Sequence, residues 1–402
     1  MKKIICLLLV ALFCLPLHAC NQASAAEDLL ADITPQTPTR REIDQTFELA
    51  SNQFSLDLLK TTYQSGTNCM LSPYSVLSAL AMTANGAAGQ TLADFEAMFG
   101  LSVSDLNAYL ASMTHGEELN SANAIWINKG FQVNTPFLQA VADHYDAAVR
   151  RAPFNEETRQ AINAWCAEQT KDRIPELLPT LSPGAKMCLI NALSFDAQWL
   201  NPYEEHQIVN RTFTAADGTA TETEMLVGSE NEYLETDFAT GFCKRYENWQ
   251  YRFFALLPNE GVSMEDFLDS LTAETLLEAI TSAQRTPVNT TMPKIKLKCG
   301  YGLEAVLEQM GLQDAFTDNA NFSAMSETPL KIDSVIHKVY FELDEGGTKA
   351  AAATAVTMTE AAAFDPDPII PKEVHLLRPY LMGIYDRENQ TILFLGVVNH
   401  IP

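Results

Sequence analysis

Residues 345–363 read EGGTKAAAATAVTMTEAAA, and this stretch fits no single secondary structure. Its alanines favour helix, while Thr354, Val356, Thr357 and Thr359 favour strand. Gly346 and Gly347 permit backbone angles closed to other residues and mark a turn or hinge at its start. Nothing in it is bulky, and proline first occurs at Pro366, in the stiff acidic run Asp365-Pro366-Asp367-Pro368. A flexible linker would carry more Ser, Gly or Pro, and an ordinary loop has no need of so many residues that suit a buried strand. Small side chains without proline are what a strand needs to enter a sheet that is already packed, because proline deletes a ladder hydrogen bond and bulk meets filled space. As a strand, Thr348, Ala350, Ala352, Thr354, Val356 and Met358 share one face, and Lys349, Ala351, Ala353, Ala355 and Thr357 the other.

Upstream, residues 330–343 (LKIDSVIHKVYFEL) alternate over many positions and read as a long strand. Residues 123–127, 251–257, 291–297 and 391–398 read as further strands, and 186–199 (KMCLINALSFDAQW) as a central one. Helical spacing is predicted over 43–64, 90–99, 103–113, 135–149, 156–174 and 302–310; residues 74–84, almost wholly apolar, read as a buried helix opened by Ser72-Pro73. Strands and helices mix without a βαβ rhythm, which predicts an α+β fold with more than one sheet.

The chain has 402 residues, 47% of them hydrophobic, a composition suited to a large core. Its net charge of −25 repels phosphate backbones and argues against nucleic-acid binding; the sequence has no Lys/Arg run suited to heparin-like polyanions. Nucleophile, phosphate-loop and metalloprotease motifs are missing, and the seven histidines are scattered, so no catalytic set, metal site or cofactor is predicted and the chain is not read as an enzyme. Beyond Cys20 there are five cysteines, an odd number without short spacing, which read as buried free thiols.

Residues 1–20 read as an export signal: Lys2 and Lys3, then the apolar run 4–15, then Leu17-His18-Ala19-Cys20. The end is similar to a bacterial lipobox in which Cys20 is lipidated; cleavage by a plain signal peptidase near Ala23-Ser24-Ala25 is the alternative. Either predicts an exported protein, at the cell surface, facing the periplasm, or secreted. Residues 21–42, rich in Asn, Gln, Ala, Ser, Thr and Pro, read as a flexible tether, leaving 43–402 as the folded domain.

Several motifs together resemble the serpin family of serine protease inhibitors. Asn68-Cys69-Met70-Leu71-Ser72-Pro73-Tyr74-Ser75 resembles its N-x-x-x-S-P-x-S, and Asn191-Ala192-Leu193-Ser194-Phe195-Asp196-Ala197-Gln198-Trp199 its N-x-x-x-F-x-x-x-W strand. Met292-Pro293-Lys294-Ile295, His337-Lys338, Glu345-Gly346-Gly347-Thr348-Lys349-Ala350-Ala351-Ala352, Arg378-Pro379-Tyr380-Leu381 and Phe394-Leu395-Gly396 follow in family order. The resemblance implies three β-sheets, about nine helices and an exposed reactive-centre loop. A target serine protease attacks that loop, forms an acyl-enzyme, and is trapped as the cut loop inserts into the main sheet.

Roles are implied position by position. Glu345, Gly346, Gly347, Thr348, Ala350, Ala351, Ala352 and Ala353 match the hinge. Ser72, Ser75, Asn191 and His337 match the shutter, a polar cluster beneath the sheet. Trp199, Lys294 and Glu345 match the breach, where the loop enters; Trp199 reads equally as core. In many inhibitory members the hinge glutamate is seventeenth before the cut, which places the bond at Ala361–Ala362; Met358, Glu360 and Ala363 mark neighbouring choices. Alanines at the cut fit a shallow specificity pocket and imply elastase-like or subtilisin-like targets. The partner is then the target protease, held covalently by a monomeric inhibitor. The competing readings are a non-inhibitory serpin acting as a binding module, and an unrelated surface-binding lipoprotein.

Overall fold

A computed structural model describes residues 26–348 and 370–401. The described residues hold nine α-helices and three sheets. With labels in chain order, the main sheet contains, from one edge, β1 (Glu27–Asp28), β4 (Ala148–Ala152), β3 (Leu119–Asn128), β5 (Met187–Phe195), β14 (Ser334–Leu343), β15 (Gly347–Thr348) and β6 (Ala197–Gln198), with β13 (Ile295–Gly302) on the other side of β14. A second sheet runs β2 (Cys69–Leu71), β18 (Thr391–Val398), β17 (Tyr380–Asp386), β11 (Tyr251–Pro258), β10 (Ala239–Arg245) and β9 (Tyr233–Glu235). The third runs β16 (Lys372–His375), β12 (Val288–Pro293), β8 (Ala220–Glu230) and β7 (Ile208–Thr214).

The helices are α1 (Gln45–Thr62), α2 (Pro73–Ala84), α3 (Gly89–Phe99), α4 (Val103–Leu110), α5 (Thr135–His144), α6 (Glu156–Gln169), α7 (Met264–Ser270), α8 (Ala273–Thr281) and α9 (Glu304–Gln309). Helix α1 starts where Asp44 accepts hydrogen bonds from the Thr46 and Phe47 amides. Helix α2 is buried except at Tyr74, as its apolar sequence requires. Its N-cap Ser72 gives its hydroxyl not to the helix but to the Leu393 carbonyl of β18, at 2.8 Å, which pins the helix start to the second sheet.

Strand β5 is buried along its whole length. Leu189 faces the large core around α1 and α2, while Cys188, Ile190 and Ala192 face the cluster beneath α6 with Trp126, Ile162 and Cys166. A strand covered on both faces reads as a continuous apolar run, which is why 186–199 stood out in the sequence.

The segment expected to be a helix over 135–149 divides: the helix ends at His144, Tyr145 turns extended, and Ala148–Ala152 pairs parallel with β3. Burial of Val149 and Ala152 in the sheet outweighs local helical spacing. Helix α6 stops at Gln169 rather than 174, because Lys171 and Asp172 adopt left-handed φ values of 49° and 61°. The strand expected over 291–297 is two strands in two sheets, which part at Lys294. The long strand expected from 330 starts at Ser334.

Residues 26–42 do not behave as the expected tether. Glu27–Asp28 forms an edge strand on β4, Arg151 grips Glu27 at 2.7 Å, and Leu29, Leu30 and Ile33 pack on the main core. Three apolar residues in a polar stretch are enough to dock it once an open sheet edge is available. Four of the five cysteines are buried and Cys299 is half-buried; all five are unpaired thiols. Among the described residues no helix is long and apolar enough to cross a membrane.

Candidate functional site

In the middle of the main sheet, β5 and β14 lie side by side and run parallel. They pair from Ser334↔Cys188 to Tyr340↔Ser194 and then diverge. Into the gap above goes β15, antiparallel to both flanks: Thr348 pairs with Leu343 of β14 and with Ala197 of β6, and Gly347 with Gln198. The seam is therefore closed below and already wedged by two residues at the top.

The wedge is held by its own backbone and by buried rings. Asp344 Oδ1 accepts from the Gly346 and Gly347 amides at 2.8 and 3.1 Å, and the Gly346 and Glu345 carbonyls accept from the amides of Trp199 and Tyr203, each at 2.9 Å. Gly347 has no room for a side chain: a Cβ there would stand 2.1 Å from the Ala197 carbonyl oxygen. Thr348 is 1% exposed, with its hydroxyl 2.6 Å from the Tyr246 hydroxyl. Trp199 is fully buried, stacks on Tyr246 at 4.5 Å between centroids, and donates its indole N–H to the Asp344 carbonyl at 3.0 Å. It is a core residue and also a contact of the turn between β14 and β15. Lys294 Nζ reaches Glu345 at 2.8 Å and Glu224 at 3.1 Å. The bond to Lys294 holds the Glu345 carboxyl below its ordinary range.

Lower on the seam, Ser72, Ser75, Asn191 and His337 form one cluster. His337 of β14 is fully buried; its Nδ1 lies 2.5 Å from Asn191 Oδ1 on β5. The Ser72 amide donates to His337 Nε2 at 3.0 Å, so that nitrogen carries the lone pair and Nδ1 carries the proton. The Asn191 amide group donates to the Ser75 carbonyl and hydroxyl, at 2.8 and 2.5 Å, and to Asn123 Oδ1 of β3 at 2.5 Å. Burial pulls the His337 pKa down to about 3, so the ring is neutral at neutral pH, as this pattern of bonds demands.

Three members of these clusters were not singled out in the sequence. Asn123 shares its strand face with Ile125 and Ile127, and a polar residue on an inward face was the available signal. Asp344 precedes two glycines, an arrangement suited to a turn in which its side chain caps the amides. Tyr246 gave none. Ala350, Ala351, Ala352, Ala353, Met358, Glu360, Ala361, Ala362 and Ala363 lie outside the described residues, as does Cys20. Among the described residues no group of His, Cys, Asp and Glu could hold a metal ion.

The family model described as "Serpin (serine protease inhibitor)" matches residues 49–401. An uncharacterised serpin-like protein of Thermococcus kodakarensis is 32% identical over 86% of this chain and 84% of its own length. One of Methanosarcina mazei is 28% identical over 100% and 98%. Among solved structures, the thermophilic serpin tengpin in its native state is similar with a TM-score of 0.88 and 34% identity, covering 94% of this chain and all of the other. Tengpin in its latent state gives 0.79 and 32%, over 90% of this chain and all of the other. Thyroxine-binding globulin complexed with thyroxine gives 0.77 and 26%, over 88% and 99%.

Proposed function

The chain belongs to the serpin family, and we propose that it inhibits serine proteases as a suicide substrate. A target attacks the Ala361 carbonyl with its serine oxygen, the amine of Ala362 leaves, and an ester joins the two proteins. The freed loop then enters the main sheet from its hinge end, carrying the protease away before water cleaves the ester. The nucleophile is the target's; the chain serves as substrate, not enzyme, and uses no cofactor.

The observation that carries this reading is β15. Gly347 and Thr348 already occupy the top of the β5–β14 seam in antiparallel register with both flanks. The residues that follow, Lys349 to Ala355, are small and free of proline. Extending that register down the seam replaces one parallel ladder by two antiparallel ones, which adds backbone hydrogen bonds in the stronger arrangement. In this reading the Trp199–Lys294–Glu345 region is the entry point, and the Ser72–Ser75–Asn191–His337 cluster is what must part and close again. Alanines about the cut point to elastase-like or subtilisin-like targets. Export through the segment 1–20, with Cys20 as lipid anchor, places the inhibitor where foreign proteases are met.

A carrier role is the second reading, favoured by the likeness to a thyroxine-binding member. It does not require the small-residue run that follows Thr348. The test is incubation of the purified chain with pancreatic elastase, followed by a denaturing gel. A complex that survives boiling, with a released fragment whose mass begins at Ala362, is the expected outcome. Cleavage without complex, across several serine proteases, would sink the inhibitor reading.

A further inference from the structure

We propose that the main sheet carries a pocket for a small dianionic oxyanion, a phosphate or sulfate group, set over β13 and β14 and flanked by the segment that leads into β5. The pocket encloses about 240 Å³ and takes its cations from three elements: Arg173 from the segment after α6, Lys298 from β13 and Lys338 from β14. In a chain with 26 basic and 51 acidic residues, a meeting of three cations from three elements is against the overall charge. Tyr340 organises it. The Arg173 guanidinium lies 6.0 Å and the Lys298 ammonium 5.9 Å from its ring centroid.

The strand period puts Lys296 and Lys298 on one face of β13, and the register sets Lys298 opposite Tyr340 and Gly300 opposite Lys338. Gly300 leaves the surface low enough for Lys338 to lie across it; a Cβ there would stand 3.2 Å from Lys338 Cε. Lysines on an edge strand also keep other chains from pairing with it. That account covers β13 alone, and neither Lys338 on its interior neighbour nor Arg173 on a separate segment.

Two of the cations are already positioned by protein groups. Arg173 pairs with Asp196 at 3.2 Å, and Lys338 donates to the Glu176 carbonyl. Lys298 makes no ion pair among the described residues, and its ammonium is available. Glu176 lines the pocket, Asp196 pairs with its Arg173 and Glu342 accepts from its Tyr340 hydroxyl; these carboxylates repel an extended polyanion, so a single compact dianion fits better than a chain of charges.

The position gives the site a consequence. Asp196 follows β5, and Arg173 is tied to it; Lys298 and Lys338 stand on the β14 side. An oxyanion held by both groups bridges the seam and resists its opening. This mechanical consequence matters for inhibition only if the loop-insertion reading holds, whereas binding at the pocket does not depend on it.

The test is calorimetric titration of the full chain with inorganic phosphate, and separately with inorganic sulfate, at an ionic strength fixed with chloride. One saturable site is expected. Lys298→Ala should weaken it about fivefold or more, Lys298→Arg should retain it, and Lys129→Ala, an exposed lysine elsewhere, should leave it unchanged. Binding of both anions supports a general dianion site, and binding of phosphate alone supports a phosphoryl site. Absence of saturable heat, or equal binding by Lys298→Ala, overturns the proposal. Hydrogen exchange reads the bridge: amides of β5 and β14 should exchange more slowly with phosphate bound. Lys298-dependent binding without that slowing overturns the bridge and leaves the pocket standing.

Discussion

The top and the middle of one seam are closed by different physics. At the top, β15 is held by backbone ladders, two glycines, a stacked Trp199–Tyr246 pair and an ion pair whose Glu345 side chain is 44% exposed. Such contacts can be exchanged for equivalent ones as a strand advances, since a ladder broken in one register re-forms in the next. In the middle, a buried network of Ser72, Ser75, Asn123, Asn191 and His337 links β3, β5, β14 and α2. Parting β14 from β5 there leaves buried donors and acceptors without partners, at a cost of about 1–3 kcal/mol for each group. The top is held by exchangeable contacts and the middle by a network that must be broken, so under the proposed mechanism a loop that enters at the top would meet its barrier at the middle.

The sharpest way to break this comparison is to stop the top from yielding. Thr348 is buried against Tyr246. Thr348→Arg puts a charge and a long side chain where the next strand face must pass, and an unpaired buried charge costs several kcal/mol. The expected outcome is a switch from inhibitor to substrate: the boiling-resistant complex disappears, and the stoichiometry of inhibition rises more than roughly tenfold. If the variant still trapped elastase, entry at β15 would be wrong.

Next in size is the middle. Asn191→Ala removes the partner of the His337 Nδ1 proton and of Ser75 and Asn123 together. A loss of about 3 kcal/mol in unfolding free energy is expected from the groups left unsatisfied, measured by denaturant titration. It should be accompanied by faster spontaneous conversion to an inactive form, because the barrier lies there. A loss under about 1 kcal/mol would mean that the network adds little to the closed seam.

Acid should act on the same network. The His337 pKa is lowered to about 3 in the folded chain, against about 6.5 unfolded. The unfolded state therefore binds more protons between those values, so the stability this group contributes is present at neutral pH and falls as pH drops below about 6.5. Between pH 7 and pH 5 the loss is about 2 kcal/mol. Burial also pulls His115 down to about 4, with the same sign, and pushes Asp386 up to about 6, with the opposite sign. The measurement is therefore a difference: His337→Gln, which can keep both hydrogen bonds, should flatten the pH slope by that amount. An unchanged slope would remove His337 from the acid response.

What was legible in the sequence follows the same division. Motifs with local chemistry were readable: the almost wholly apolar α2, the double-sided run of β5, and the glycine pair that leads into β15. Ser72, Ser75, Asn191 and His337 were named from the serpin resemblance, and no sequence spacing shows that they meet; they stand on α2, β5 and β14, up to 265 positions apart. Asn123 and Tyr246 escaped for that reason, since each acquires its partner only when separate strands come together. Residues 26–42 were misread because composition reports how much a segment can bury, whereas docking here depends on an open edge at β4 that local sequence does not reveal.

The smallest expected effect tests the yielding end most directly. Lys294 joins Glu345 and Glu224 across the entry, with side-chain exposures of 22%, 44% and 60%. Burial alone would lower the Lys294 pKa, yet its bonds to both carboxylates leave it raised. With water at the pair, Lys294→Ala should cost less than about 1 kcal/mol, and the loss should shrink further in high salt. Its effect on rate should be the larger one, with the loop entering sooner once its tie to the sheet is gone. Stopped-flow comparison of complex formation by the variant and the parent chain checks this. A stability loss near that of Asn191→Ala, insensitive to salt, would show that the top of the seam is held as firmly as the middle and would erase the distinction between them.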